Sequence, residues 1–243
     1  MTQSELAAAL QRARQRAIDL RAPLRDRLKI IAEEYRAVSP VLAEAVDAFV
    51  GRLQAAEAGA LAPAVGDPMP EFLLPDQNGR LVGLNELLRT GPAVIAFLRG
   101  HWCAYCQTTA VALGEVADAA AERGARIVAI TPEHRKFSQR LAQDSGGRVS
   151  LLTDVDNAYA LTLNLAIWID DDMAKLTLSA GRDVPSYNVG ADWLLPIPAT
   201  FVVDKRGLIV ARYVNADYRT RMEVDDIVAA LGALPQAAAA GAE

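Results

Sequence analysis

Histidine and cysteine are scarce in this chain: it has two of each in 243 residues. A closed zinc site takes four thiolate or imidazole ligands, so the cysteines would supply half of one, and His101 and His134 are the only imidazoles left to complete it. The expectation is no metal and no bound cofactor. So few cysteines also rule out the disulfide scaffold of a small secreted domain. No apolar stretch approaches the roughly 18 residues of a membrane span. Arg12, Arg14 and Arg16 break up the opening run MTQSELAAALQRARQRAIDL, where a secretory signal needs a continuous apolar core. A soluble, cytoplasmic chain is expected. Nor is positive charge in excess: 25 Lys and Arg face 30 Asp and Glu, for a net charge of −5. Nucleic acid wants a basic face and a membrane surface wants a polybasic anchor; neither is present, so neither is an expected partner.

What is there is hydrophobic material for a core, 52% of the chain. Residues 4–58 are rich in Ala, Leu, Glu and Arg, good helix formers, with breaks at Pro23 and Pro40. Ser39-Pro40 has the chemistry of a helix start, a capping residue followed by proline in the first turn. Leu42, Val46, Phe49, Val50 and Leu53 then follow at helical spacing. That stripe needs a cover, either the main domain or a second copy of the chain in a homodimer. Pro63, Pro68, Pro70, Gly59 and Gly66 mark residues 59–70 as a linker. The organisation expected is an N-terminal helical extension (1–62), a main domain (63–234) and a frayed tail (235–243).

Beyond the linker the texture changes. AVIAFL (93–98) is a short continuous apolar run, suited to a strand buried on both faces. Cys106, Ala110, Leu113, Ala117 and Ala120 give a helical pattern that Gly124 closes. RIVAIT (126–131) is the next strand, so strand, helix and strand form a parallel unit with a right-handed crossover. VSLL (149–152) is a further strand, and Asp154 starts a helix that runs to Leu161. Residues 163–193 read as irregular. PATFVVD (198–204) and LIVARYV (208–214), joined by a turn at Asp204–Gly207, read as a hairpin. Val224–Leu231 is a final helix.

Both cysteines fall in one stretch, RGHWCAYC (99–106), where the first buried strand hands over to a helix. A helix N-terminus offers free N–H groups and the positive end of the dipole, which favour thiolate over thiol. A cysteine with a pKa near 8.5 is only about 3% thiolate at pH 7, and lowering it to about 6 takes about 3.4 kcal/mol. The helix dipole supplies at most about 2 kcal/mol, so a reactive cysteine here needs another donor. Arg99 is adjacent, and Arg219 and Arg221 lie beyond the hairpin. Trp102 is expected to wall off the site. His101 is a candidate proton shuttle, although a surface histidine is the simpler reading. Cys103 and Cys106, one helical turn apart, can close a disulfide with little backbone movement.

These residues resemble the peroxiredoxin-like proteins of the alkyl hydroperoxide reductase / thiol-specific antioxidant family, within the thioredoxin-fold superfamily. VGDPMPEFLLPDQNGRLVGLNELL (65–88), FLRGHWCAYC (97–106), ARIVAITPE (125–133) and LPIPATFVVDKRGLIVARYVNADYRTR (195–221) carry the resemblance, in the family's order. It implies an α/β thioredoxin-like fold, a central mixed sheet flanked by helices. It also implies a cis Ile197-Pro198 peptide facing the cysteines, which would leave the Ile197 backbone free to pair with a substrate. Pro198 and Arg221, with Trp102 and Arg99, are the expected positioning residues around the catalytic Cys103 and Cys106. The implied reaction is reduction of hydrogen peroxide or an organic hydroperoxide at the expense of an external thiol, of thioredoxin, glutaredoxin or glutathione type.

The resemblance leaves the attacking sulfur open. Matched to thioredoxin's Trp-Cys-x-x-Cys, Cys103 attacks. Matched to the peroxiredoxin Thr-x-x-Cys, Cys106 attacks, Cys103 stands in place of the threonine and Arg99 in place of a proline. Access and thiolate character favour Cys103 against a bulky disulfide, whereas a small peroxide can reach Cys106. Two other functions remain open: a disulfide oxidoreductase with little peroxidase activity, and a non-catalytic redox-sensing or metal-binding module.

Overall fold

The computed structural model describes residues 3–190 and 192–235. The tail reading at 236–243 lies outside the described residues. Three helices come first: α1 (Gln3–Asp19), α2 (Leu24–Val38) and α3 (Pro40–Ala55). Pro40 opens α3 in the first helical position, as its missing N–H allows, but the Ser39 side chain makes no capping bond. A short hairpin, β1 (Leu73–Pro75) and β2 (Leu81–Gly83), leads to α4 (Leu84–Thr90) and the first core strand, β3 (Ala93–Phe97). Then follow α5 (Ala104–Glu115), α6 (Ala117–Ala121), β4 (Arg126–Thr131), α7 (Arg135–Asp144) and β5 (Ser150–Thr153). A 3-10 turn at Val155–Asn157 enters α8 (Ala158–Thr162), followed by β6 (Ala166–Trp168), α9 (Asp171–Ser179), α10 (Val184–Tyr187) and β7 (Leu194–Pro196). The chain closes with β8 (Ala199–Val203), β9 (Ile209–Val214) and α11 (Val224–Gly232).

The central sheet has the order β5-β4-β3-β8-β9. β3, β4 and β5 are parallel, and the β8–β9 hairpin joins β3 antiparallel, with Ala93 opposite both Arg126 and Val203. Every residue of β3 is buried, as a strand covered on both faces requires. Val94, Ala96 and Leu98 face one core layer with α1, α2, α5 and α11, while Ala93, Ile95 and Phe97 face the layer of α4 and α8. A third cluster joins Leu42, Val46, Phe49 and Val50 of α3 to Met173 and Ala174 of α9. The apolar stripe of α3 is therefore covered within the subunit.

The structure amends several expectations. Ile197-Pro198 is trans, since no described peptide is cis. The Ile197 N–H is already spent on the Leu165 carbonyl (2.6 Å) and is not free to pair with a substrate. The helical pattern from Cys106 to Ala120 is two helices, broken at Val116 (ψ 3°). Residues 163–193 are not irregular: β6, α9 and α10 lie there, and β6 pairs with β7 just beyond. Three-residue strands whose partners lie far along the chain leave no local period to read. The segment from 59 to 70 is not a free linker either. Gly66 and Ile209 N–H groups bond to Ile209 and Asp67 carbonyls, and Met69 N–H bonds to the Gly207 carbonyl, strapping it along β9.

Candidate active site

The cysteines sit at the carboxyl end of β3, where the parallel strands stop and α5 begins. Cys103 is the N-cap residue of α5, in extended conformation, and its N–H donates to the Gly100 carbonyl (3.2 Å). Cys106 lies one turn on, fully buried, while Cys103 retains 5% exposure. Both are free thiols. The Arg99 N–H donates to Cys106 Sγ at 3.3 Å, and Arg221 Nη2 approaches the same sulfur at 3.8 Å. Arg221 is braced by the Tyr218 and Thr220 carbonyls. The Arg99 guanidinium lies 3.9 Å from the Tyr218 ring centre and 4.9 Å from that of Trp102.

Both guanidiniums are buried, and among the described residues neither forms an ion pair with a carboxylate. An unpaired buried charge is costly, so the pair demands a local anion. A thiolate is the available one. The Cys106 thiol hydrogen-bonds to Cys103 and, with Arg99 and Arg221, lowers the Cys103 pKa to about 5 despite burial. Burial, then the Cys103 anion, push Cys106 well up. Both N–H donors land on Cys106, while the lowered pKa of the pair falls on Cys103. The helix start alone falls short of what a thiolate needs, and the two arginines and the partner thiol make up the difference.

The sequence profile of the AhpC/TSA family matches residues 65–212. The chain belongs to the AhpC/TSA family. Among solved structures it is similar to peroxidoxin BcpB from Mycobacterium tuberculosis, with a TM-score of 0.55 and 22% identity over 70% of this chain and 97% of that one. It is also similar to the Plasmodium vivax 2-Cys peroxiredoxin, with a TM-score of 0.51 and 18% identity over 70% and 82% of the two chains. At these identities the likeness speaks for the fold, a thioredoxin fold. Among curated proteins, the thiol-disulfide oxidoreductase ResA of Bacillus thuringiensis is 23% identical over 159 residues, 65% of this chain and 75% of ResA. The chemistry of this AhpC/TSA protein is thus thiol-dependent and redox. Helices α1–α3 fall outside the matched segment.

Other residues complete the site of this family member. Glu133, at the carboxyl end of β4 beside β3, is fully buried. Its Oε2 accepts the His101 N–H at 2.7 Å and its Oε1 has no partner. Burial, chiefly, pushes its pKa up to about 8. Gly100 makes this approach possible: it has φ +140°, and a Cβ there would sit 2.5 Å from Glu133 Cδ. Tyr105 stacks on Tyr35 of α2 at 6.2 Å and meets Tyr218 edge-on at 5.7 Å. A cavity of about 50 Å³ reaches Cys103 between Arg99, Trp102 and these tyrosines.

Of the sequence candidates, Arg99, Trp102, Cys103, Cys106 and Arg221 come together. Arg219 instead pairs with Asp217 and Asp47. Pro198 is buried just before β8 and does not line this cavity. The His101 ring is half-buried between Gln107 (3.3 Å) and Asp144 (3.7 Å) and bonds to neither sulfur. Sequence reasoning passed over Glu133, Tyr35 and Tyr218. For Glu133 a signal existed, because a carboxyl just past the strand parallel to β3 falls at the same sheet end as the cysteines. The tyrosines carry no local signal.

Proposed function

We propose that this protein reduces a hydroperoxide, with Cys103 as attacker and Cys106 as resolver. The Cys103 thiolate attacks the distal peroxide oxygen, the O–O bond breaks, and the sulfur becomes a sulfenic acid while the alkoxide or hydroxide leaves and is protonated to alcohol or water. The Cys106 thiol then displaces hydroxide from that sulfenic sulfur, and the thiol proton leaves with it as water, giving the disulfide. Two electrons from an external thiol, of thioredoxin, glutaredoxin or glutathione type, restore the dithiol by exchange. A cytoplasmic location belongs to the same reading.

One observation carries it: Cys103, its pKa lowered by Cys106, Arg99 and Arg221, lies at the foot of a narrow cavity of about 50 Å³. The second reading, disulfide exchange without peroxidase activity, is favoured by the likeness to ResA and by the order of the pair, with the low-pKa cysteine first. The experiment is rapid mixing of the reduced protein with one equivalent of hydrogen peroxide, followed by intact mass. Wild type is run beside Cys103→Ser and Cys106→Ser. Fast loss of two hydrogens in wild type, with sulfenic acid trapped in Cys106→Ser alone, is expected. No reaction over minutes leaves disulfide exchange.

A further inference from the structure

A second cavity, of about 120 Å³, lies beside the one at Cys103, under α2 and α3. The two share Tyr35, Leu42, Val46, Tyr105 and Tyr218 as walls. The two adjoin across these side chains, one with a cationic, nucleophilic end at Arg99 and Cys103, the other an apolar space beneath the N-terminal helices. We infer that α2 and α3 set the choice of peroxide, with Tyr35, Leu42 and Val46 as specificity-determining residues that favour a hydroperoxide carrying a compact apolar body over hydrogen peroxide. The inference rests on the peroxidase reading.

Three observations support it. The three residues come from helices outside the segment matched to the family. Leu42 and Val46 are buried against Met173 of α9, which fixes their side chains in place. The helix carrying them is also tied down: Asp47 binds Arg219 at 2.5 Å and Arg52 binds Asp170 at 2.5 Å. Hydrogen peroxide has no apolar surface to bury there. A phenyl or branched alkyl body does, and its hydroperoxide group then points at Cys103. Filling a pocket of this size discriminates between substrates by about tenfold to a hundredfold.

The test is stopped-flow oxidation of reduced protein by hydrogen peroxide and by cumene hydroperoxide, for wild type, Leu42→Phe and Val46→Phe. The product alcohol, 2-phenyl-2-propanol, serves as a competitor in wild type. Wild type should prefer cumene hydroperoxide, and the ratio of the two rate constants should fall about tenfold in each variant. The alcohol should slow cumene hydroperoxide more than hydrogen peroxide. If neither peroxide oxidises wild type, the peroxidase reading fails and takes this inference with it. If hydrogen peroxide reacts, but the ratio is unmoved in folded variants and the alcohol does not compete, the reading stands and the inference is overturned. Should both variants fail to fold, the competition in wild type decides alone.

Discussion

Removing the Cys106 thiol should raise the pKa of Cys103. In the native pair that thiol is the largest influence holding Cys103 down at about 5, ahead of Arg99 and Arg221, and burial works against all three. A hydrogen bond to a charged group is worth about 1.5–3 kcal/mol, and one pKa unit is about 1.36 kcal/mol. Cys106→Ala should therefore lift the Cys103 pKa by about 1–2 units, to between about 6 and 7. With a single cysteine left, ultraviolet thiolate absorbance against pH reads that group alone, free of coupling. Cys103→Ala gives the companion curve, in which Cys106 should remain a thiol well past neutrality. An unmoved titration near 5 in Cys106→Ala would refute thiol-to-thiolate donation and leave the arginines as the whole cause. A titration near 5 in Cys103→Ala would place the native thiolate on Cys106 and reverse attacker and resolver.

Other outcomes follow from the same geometry. Arg99→Met keeps an apolar stem in place and removes a buried cation, so the Cys103 pKa should rise and peroxide oxidation at pH 6 should slow about tenfold or more, read by stopped flow. Glu133 has a folded pKa of about 8 against an unfolded value near 4.3, so the folded state holds its proton longer. The stability this gives is complete below the unfolded pKa and drains as pH rises through 8. Urea unfolding should thus show wild type losing about 3 kcal/mol or more between pH 5 and 8, and Glu133→Gln, which still accepts the His101 N–H, should lose much less. Equal pH slopes would show that Glu133 does not titrate as described. Gly100→Ala drives a methyl into the Glu133 carboxyl and strains a positive φ, and should cost about 2–4 kcal/mol in the same assay.

The sheet was legible in the sequence wherever a strand is a bounded apolar run. β3, β4 and β8 are buried on both faces and stand out between turns rich in glycine, proline or charge, and α11 shows a clean period. The pair β6–β7 is half-buried, three residues long on each side, and closed by a contact between Ala166 and Pro196 that no local pattern encodes. The Asp170 cap of α9 was readable in principle, for its side chain accepts the Met173 N–H at 2.9 Å, but the strands flanking it obscured the signal. In the site, Arg99, Trp102 and both cysteines are neighbours in the chain, and Arg221 follows the hairpin that returns to them. Tyr35 reaches Tyr105 from a helix outside the family segment, so only the three-dimensional packing reveals it, whereas Glu133, just past the next strand, falls at a sheet end the strand order already marks. The proline was misjudged because an X-Pro bond carries no local mark of its isomer.

The strap between the N-terminal helices and β3 has a bearing on self-association. Gly66 and Asp67 take the open side of β9 at Ile209, and the Gln77 side chain takes the Leu151 N–H on the open side of β5. One short segment thereby touches both margins of a five-stranded sheet, with its backbone at one and a side chain at the other, the places where flat strands most readily recruit one another into aggregates. Extending the sheet past Ile209 or Leu151 would first require peeling that strap away.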